Sequence, residues 1–214
     1  MKSVLISIQP KWCELIANGK KTVEVRKTKP KIDVPFKCYI YATRPKNWFR
    51  FSSFGYASDE SLWLANGKVK MCDGFEFWAD EIEYKCLNQK VIGEFVCKNI
   101  DFLNERDLFE GMDEISNSRI EEFSCVSIDE LLRYKGKKQE IYGWHISDLV
   151  IYDKPKELSE FYQKCKSYDK DEWDIDNLDC IDCENPCGNG GKLYLKRPPQ
   201  SWCYVEKGAT DERN

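Results

Sequence analysis

Histidine is almost missing from this chain: His145 is the single copy in 214 residues. A hydrolytic triad that needs an imidazole base would have to use that position. No window approaches the roughly 20 apolar residues of a membrane-spanning helix. The opening MKSVLISIQPKW has an apolar run of only four or five residues and no small-residue cleavage site. It reads as a strand and not as a signal peptide, so the expected location is the cytoplasm, without a membrane partner. There is no Walker A sequence and no strand-linked G-x-G-x-x-G, and CGNGG at 187–191 follows no strand. Phosphate cradles of those two kinds are therefore excluded. Internal repeats and low-complexity tracts are also lacking.

What is present suffices for a core. Hydrophobic residues make up 42% and aromatics 14%, enough to fold one substantial domain or one domain with a small appendage. The net charge of −4 argues against indiscriminate affinity for nucleic acid, but the charge is unevenly placed. Residues 1–50 carry twelve Lys or Arg against Glu14, Glu24 and Asp33, an excess of nine positive charges, which leaves −13 on the remainder. One anion-seeking face accounts for this asymmetry. A solvated basic strand pair, neutralised by acidic loops nearby, accounts for it equally.

The local patterns place elements along the chain. Val4–Gln9 is a short buried strand. Pro10 suits the first turn of a helix whose stripe is Trp12, Leu15 and Ile16, and Gly19 stops it. Thr22–Arg26 alternates as a half-buried strand, with Thr22, Glu24 and Arg26 on one side and Val23 and Val25 on the other. Phe36–Ala42 is a further strand. The aromatic-rich stretch 45–88, with turn signals at Asn66-Gly67 and Asp73-Gly74, reads as an insertion. Val91–Ile100 is a strand in which Gly93 marks a bulge or a close backbone approach. Asn117–Tyr134 is expected to be helical, with Ser127 and Glu130 forming a capping box and Gly136 ending it. Gly143–Asp153 is a strand, and Pro155 is expected to fix a turn. After residue 160 an acidic, cysteine-containing tail follows: residues 169–184 hold eight acids against Lys170.

Leu5–Lys27, LISIQPKWCELIANGKKTVEVRK, resembles the opening of ASCH domains, which are related to the PUA fold. Their G-x-K-x-x-E-x-R signature is met at Gly19, Lys21, Glu24 and Arg26. VIGEF at 91–95 and GWHISDLVIYDKPKEL at 143–158 resemble later strands, and RPPQSWCYVE at 197–206 is similar to the ending of bacterial and phage members. The resemblance spans roughly residues 3–160. It implies an α+β fold: a small mixed β-barrel of PUA-like type with flanking helices, occupying residues 1–160, and a cysteine-containing tail over 161–214. It also implies RNA or modified nucleosides as ligands. Some relatives are implied to be hydrolases that cleave RNA or deacylate a modified cytidine. In those deacylases the nucleophilic threonine aligns with Glu24, so the hydroxyl that acyl transfer needs is lost here. Thr22 is offset by two positions.

The chemistry of these residues fits a ligand site. Lys21 offers a point charge for phosphate, or a base if burial lowers its pKa. Arg26 offers a planar fork for phosphate or a base edge. Glu24 can accept from a cytosine amino group, orient Arg26, or act as a general base. An exposed Glu–Arg pair of little energetic value is the plain alternative. Arg44 and His145 are further ligand-binding candidates, although a lone histidine in an apolar strand is commonly structural. Trp144, Trp48 and Trp63 are candidates for base stacking or for core. The functional readings are therefore RNA or nucleotide binding around the signature, or a hydrolase with Lys21 and Glu24 as acid–base groups.

Cys180-x2-Cys183-x3-Cys187, followed by fifteen residues and then Cys203, forms a second constellation. Four thiolates on a loop-rich tail suit a structural zinc ion, which would supply the core the tail lacks. An iron–sulfur cluster or free thiols fit the same spacing.

Overall fold

Ser3–Ile8 forms β1, and all six of its residues are buried. A strand covered on one face would alternate; this one is covered on both. Val4, Ile6 and Ile8 pack with Phe36, Cys38, Ile40, Phe95 and Trp144. Leu5 packs on the opposite face with Tyr39, Tyr41, Val91, Phe161 and Val205. The computed structural model describes residues 3–44, 49–51, 55–57, 61–65, 67–71, 84–104, 120–165 and 191–207.

Pro10–Ala17 is the helix α1, with proline at its start. Gly19 follows at φ +70°, a left-handed conformation that favours glycine. Then come β2 (Val23–Arg26) and β3 (Phe36–Ala42), the latter parallel to β1. Two small antiparallel groups follow. One pairs β4 (Phe49–Phe51) with β5 (Gly55–Ala57). The other joins β6 (Leu62–Ala65) to β7 (Lys68–Met71) and β8 (Tyr84–Cys86). The turn between β6 and β7 contains Gly67 at φ +72°, at the expected Asn-Gly position; Asp73-Gly74 lies outside the described residues. The long strands β9 (Val91–Asn104) and β10 (Glu140–Lys156) pair antiparallel with three register shifts. Gly93 sits where these strands press together: a Cβ there would lie 2.4 Å from the Val150 carbonyl oxygen. The helix α2 (Ile128–Lys135) precedes β10. The strands β11 (Phe161–Lys164), β12 (Lys192–Tyr194) and β13 (Trp202–Lys207) end the described chain.

The α+β class holds, with sheet dominant, but the barrel does not. Eight strands form one mixed sheet in the order β12-β11-β13-β1-β3-β9-β10-β2. Closure would require β2 to pair with the opposite edge, and among the described residues β2 pairs only with β10. Trp202–Lys207, read from sequence as tail, lies inside this sheet between β1 and β11.

Three local expectations are corrected. The strand β2 is buried along its whole length, because Val25 packs with Leu131 of α2 while Glu24 and Arg26 are covered on the other face. The single helix expected over 117–134 is interrupted. Residues 120–124 are helical, Cys125 takes φ +54°, and Ser127 caps a new helix by accepting from Glu130 N. The strand β10 runs through Pro155 instead of turning there. Its partner β2 stops opposite His145, so beyond that point only the β9 side requires donors, and the ladder shifts register between Ile151 and Lys156.

Candidate functional site

The unpaired edge of β2 opens into a cavity of about 950 Å³, within the size range of small-molecule sites. Gln9 and Trp12 from the start of α1 line one side. Glu130, Arg133 and Tyr134 of α2 line another, and Pro198–Ser201 lines a third. Lys21, Glu24 and Arg26 converge at its base.

Glu24 is the hub. Its Oε1 lies 2.9 Å from Arg26 Nη2 and its Oε2 lies 3.4 Å from Lys21 Nζ. Lys21 is only 2% exposed. Its ammonium donates to the Ser124 carbonyl oxygen at 2.5 Å and stands 5.1 Å from the centre of the Trp12 ring. The break in helicity after Ser124 is therefore where a backbone carbonyl, left without a helical partner, meets a buried cation. Burial holds the Lys21 pKa below the ordinary lysine value, and Glu24 opposes that shift. Arg26 Nη2 also donates to the Ser7 carbonyl oxygen at 2.7 Å. Its Nε is buried with no hydrogen-bond acceptor among the described residues. Two cations thus share one carboxylate, leaving a net positive charge at the base of the cavity.

The third wall is tied to this group through Ser7. Ser7 N donates to the Ser201 carbonyl at 2.9 Å, and Ser7 Oγ donates to the Pro199 carbonyl at 2.7 Å. Residue types at Ser7, Ser124 and Pro199 gave no functional signal in the sequence, since their carbonyl oxygens do the work. Trp12 was legible only as part of an apolar helix stripe.

The other candidates lie elsewhere. His145 stands opposite Val23 in the β10–β2 register, whereas Trp144 stands opposite Glu24. Side chains of opposed residues share a face, so His145 is on the face away from Glu24 and Arg26. Its Nε2 lies 2.6 Å from Asp101 Oδ2. Trp144 is fully buried, edge-on to Phe36, and is core. Arg44 is exposed and is not part of the lining, although its neighbour Thr43 is. Thr22 is exposed and also outside the lining. Trp63 lies on β6 away from the cavity, and Trp48 is outside the described residues. Cys180, Cys183 and Cys187 are likewise outside them. Cys203 is on β13, where burial pushes its thiol up to about 11.

The family model of the ASCH domain matches residues 6–186. No curated protein matches the chain. Among solved structures it is similar to ASCH from Zymomonas mobilis, at 19% identity and a TM-score of 0.45, covering 73% of each chain. A Tyr-to-Phe variant of that protein matches at 19% identity and 0.45, covering 74% of this chain and 77% of that one. A Ser-to-Ala variant matches at the same identity and score, covering 73% and 74%.

Proposed function

This chain belongs to the ASCH domain family, within the PUA-like superfamily, and we propose that it binds RNA or a modified nucleotide in the cavity at the edge of β2. The observation that carries this reading is the convergence of Lys21 and Arg26 on Glu24 beneath Trp12 and Tyr134. The carboxylate can accept from an amino-bearing base edge, and the positive charge of Arg26 favours a carbonyl or phosphate oxygen beside it. Trp12 and Tyr134 supply apolar walls for a ring. Fluorescence anisotropy with short labelled RNAs tests the reading. Arg26→Ala and Tyr134→Ala, each checked for native circular dichroism, are expected to weaken binding by about tenfold or more, the loss of one charge-assisted hydrogen bond or one stacked base. Equal binding by both folded variants, or no binding by the wild type, overturns it.

A second reading, a hydrolase acting on RNA or modified nucleosides, draws on the lowered pKa of Lys21 beside Glu24, a pairing suited to proton transfer. Turnover of labelled RNA or acylated nucleosides that Glu24→Gln abolishes supports it; no turnover removes it. A zinc ion on Cys180, Cys183, Cys187 and Cys203 is a separate proposal from spacing alone. About one zinc per chain in freshly purified protein supports it, and none removes it.

A further inference from the structure

A second concavity, about 760 Å³, lies beside the first and is lined by Lys27, Lys29, Lys31, Lys137 and Lys138. The first three come from the loop after β2 and the last two from the turn after α2. All five are exposed, and among the described residues none has a carboxylate within ion-pair distance. Asp33 and Glu140 are the acids of the lining, and Glu140 already accepts from the Tyr142 hydroxyl. Five ammonium groups in one groove of an acidic protein focus positive potential there.

The loop that carries three of them is anchored. Lys31 N donates to Tyr204 Oη at 2.6 Å, and Trp202 Nε1 donates to Thr28 Oγ1 at 3.0 Å. Aromatic rings lie beside two of these charges. Lys29 Nζ stands 4.4 Å from the centre of the Phe102 ring, which is 52% exposed. Lys27 Nζ stands 4.9 Å from the ring of Tyr134, which also lines the Glu24 cavity. Lys27 and Tyr134 therefore join the two concavities. Cations gathered in one groove beside an exposed ring are the arrangement that tracks a single-stranded backbone and stacks its bases.

We propose that this groove holds the phosphodiester backbone of an RNA strand, one base of which enters the Glu24 cavity. The ligand class is then an oligonucleotide and not a free nucleoside. The inference rests on the reading of the cavity given above, and an acidic polypeptide is the competing occupant.

The test compares full-length wild type, the exposed-loop variant K29A/K31A/K138A, and Arg26→Ala. Each is titrated with a ten-nucleotide RNA and with mononucleotides at 50 to 200 mM salt. Three lost phosphate contacts should make the logarithmic salt slope shallower by about two, so that oligonucleotide affinity becomes about 20-fold less salt-sensitive over that range. Mononucleotide binding should be unchanged in the triple variant and weakened in Arg26→Ala. Oligonucleotide binding that is unaltered in the triple variant but lost in Arg26→Ala overturns the groove and leaves the cavity reading standing. Loss in the triple variant alone, with Arg26→Ala unaffected, overturns the cavity reading and with it the entry of a base there, leaving the groove as a backbone contact only. Displacement of the RNA by poly-aspartate as effectively as by unlabelled RNA overturns RNA as the groove's ligand. No oligonucleotide binding by the wild type overturns both.

Discussion

Glu24 and Arg26, two residues apart on β2, share a 2.9 Å contact with both side chains more than nine-tenths buried. Because the same carboxylate also faces Lys21, one anion holds two cations out of water. Glu24→Ala would leave both cations without their carboxylate partner, and loss of about 3–5 kcal/mol is expected. Glu24→Gln keeps the shape and one acceptor oxygen, so its loss should be smaller. Urea unfolding of the two variants at pH 7 checks the order.

The lowered pKa of Lys21 has a pH signature. Its folded value lies below its unfolded one, so between the two the unfolded chain holds more protons. Stability contributed by this residue therefore rises with pH across that window and falls as pH drops through the folded value. Binding runs the other way, since an anionic ligand loses a cation when Lys21 deprotonates. Affinity for RNA should decline at alkaline pH below the usual lysine range. Lys21→Met should bind more weakly at neutral pH and show no such decline. Anisotropy titrations from pH 7 to 10 compare them.

Gly93 is expected to tolerate no side chain. A Cβ would sit 2.4 Å from a backbone carbonyl oxygen across the β9–β10 ladder, and backbone cannot yield as a flexible side chain does. Gly93→Ala should cost about 1–3 kcal/mol, visible as a lower thermal midpoint.

On the opposite sheet region, Glu94 accepts from Lys37 Nζ at 2.6 Å and Tyr152 Oη at 2.5 Å. Burial would raise its pKa, but these donors outweigh it and hold the carboxyl below its ordinary value. Stability from Glu94 is thus present above the unfolded carboxylate value and lost as pH falls through the lowered one. Glu94→Gln should cost about 1–3 kcal/mol at pH 7, and the gap from wild type should shrink towards pH 3 in urea titrations.

Elements governed by neighbouring residues are legible in the sequence alone. The proline at the start of α1, the left-handed Gly19, the strand β3 and the cap at Ser127 follow from rotamer, φ and hydrogen-bond rules that act over a few residues. The signature positions Lys21, Glu24 and Arg26 could also be picked out, because the resemblance to the family rests on four positions within eight residues. Long-range arrangement was not. That β13 enters the sheet beside β1, that the sheet stays open at β2, and that helicity breaks at Cys125 all depend on pairings between segments far apart in the chain. His145 shows the same limit: its register against Val23, not its residue type, puts it on the face away from Glu24. The chain's own residues specify charges, turns and periodicity, which are local quantities. The two buried cations donate to the backbone carbonyl oxygens of Ser7 and Ser124, and because every residue carries a carbonyl, residue type does not mark which one the fold will use.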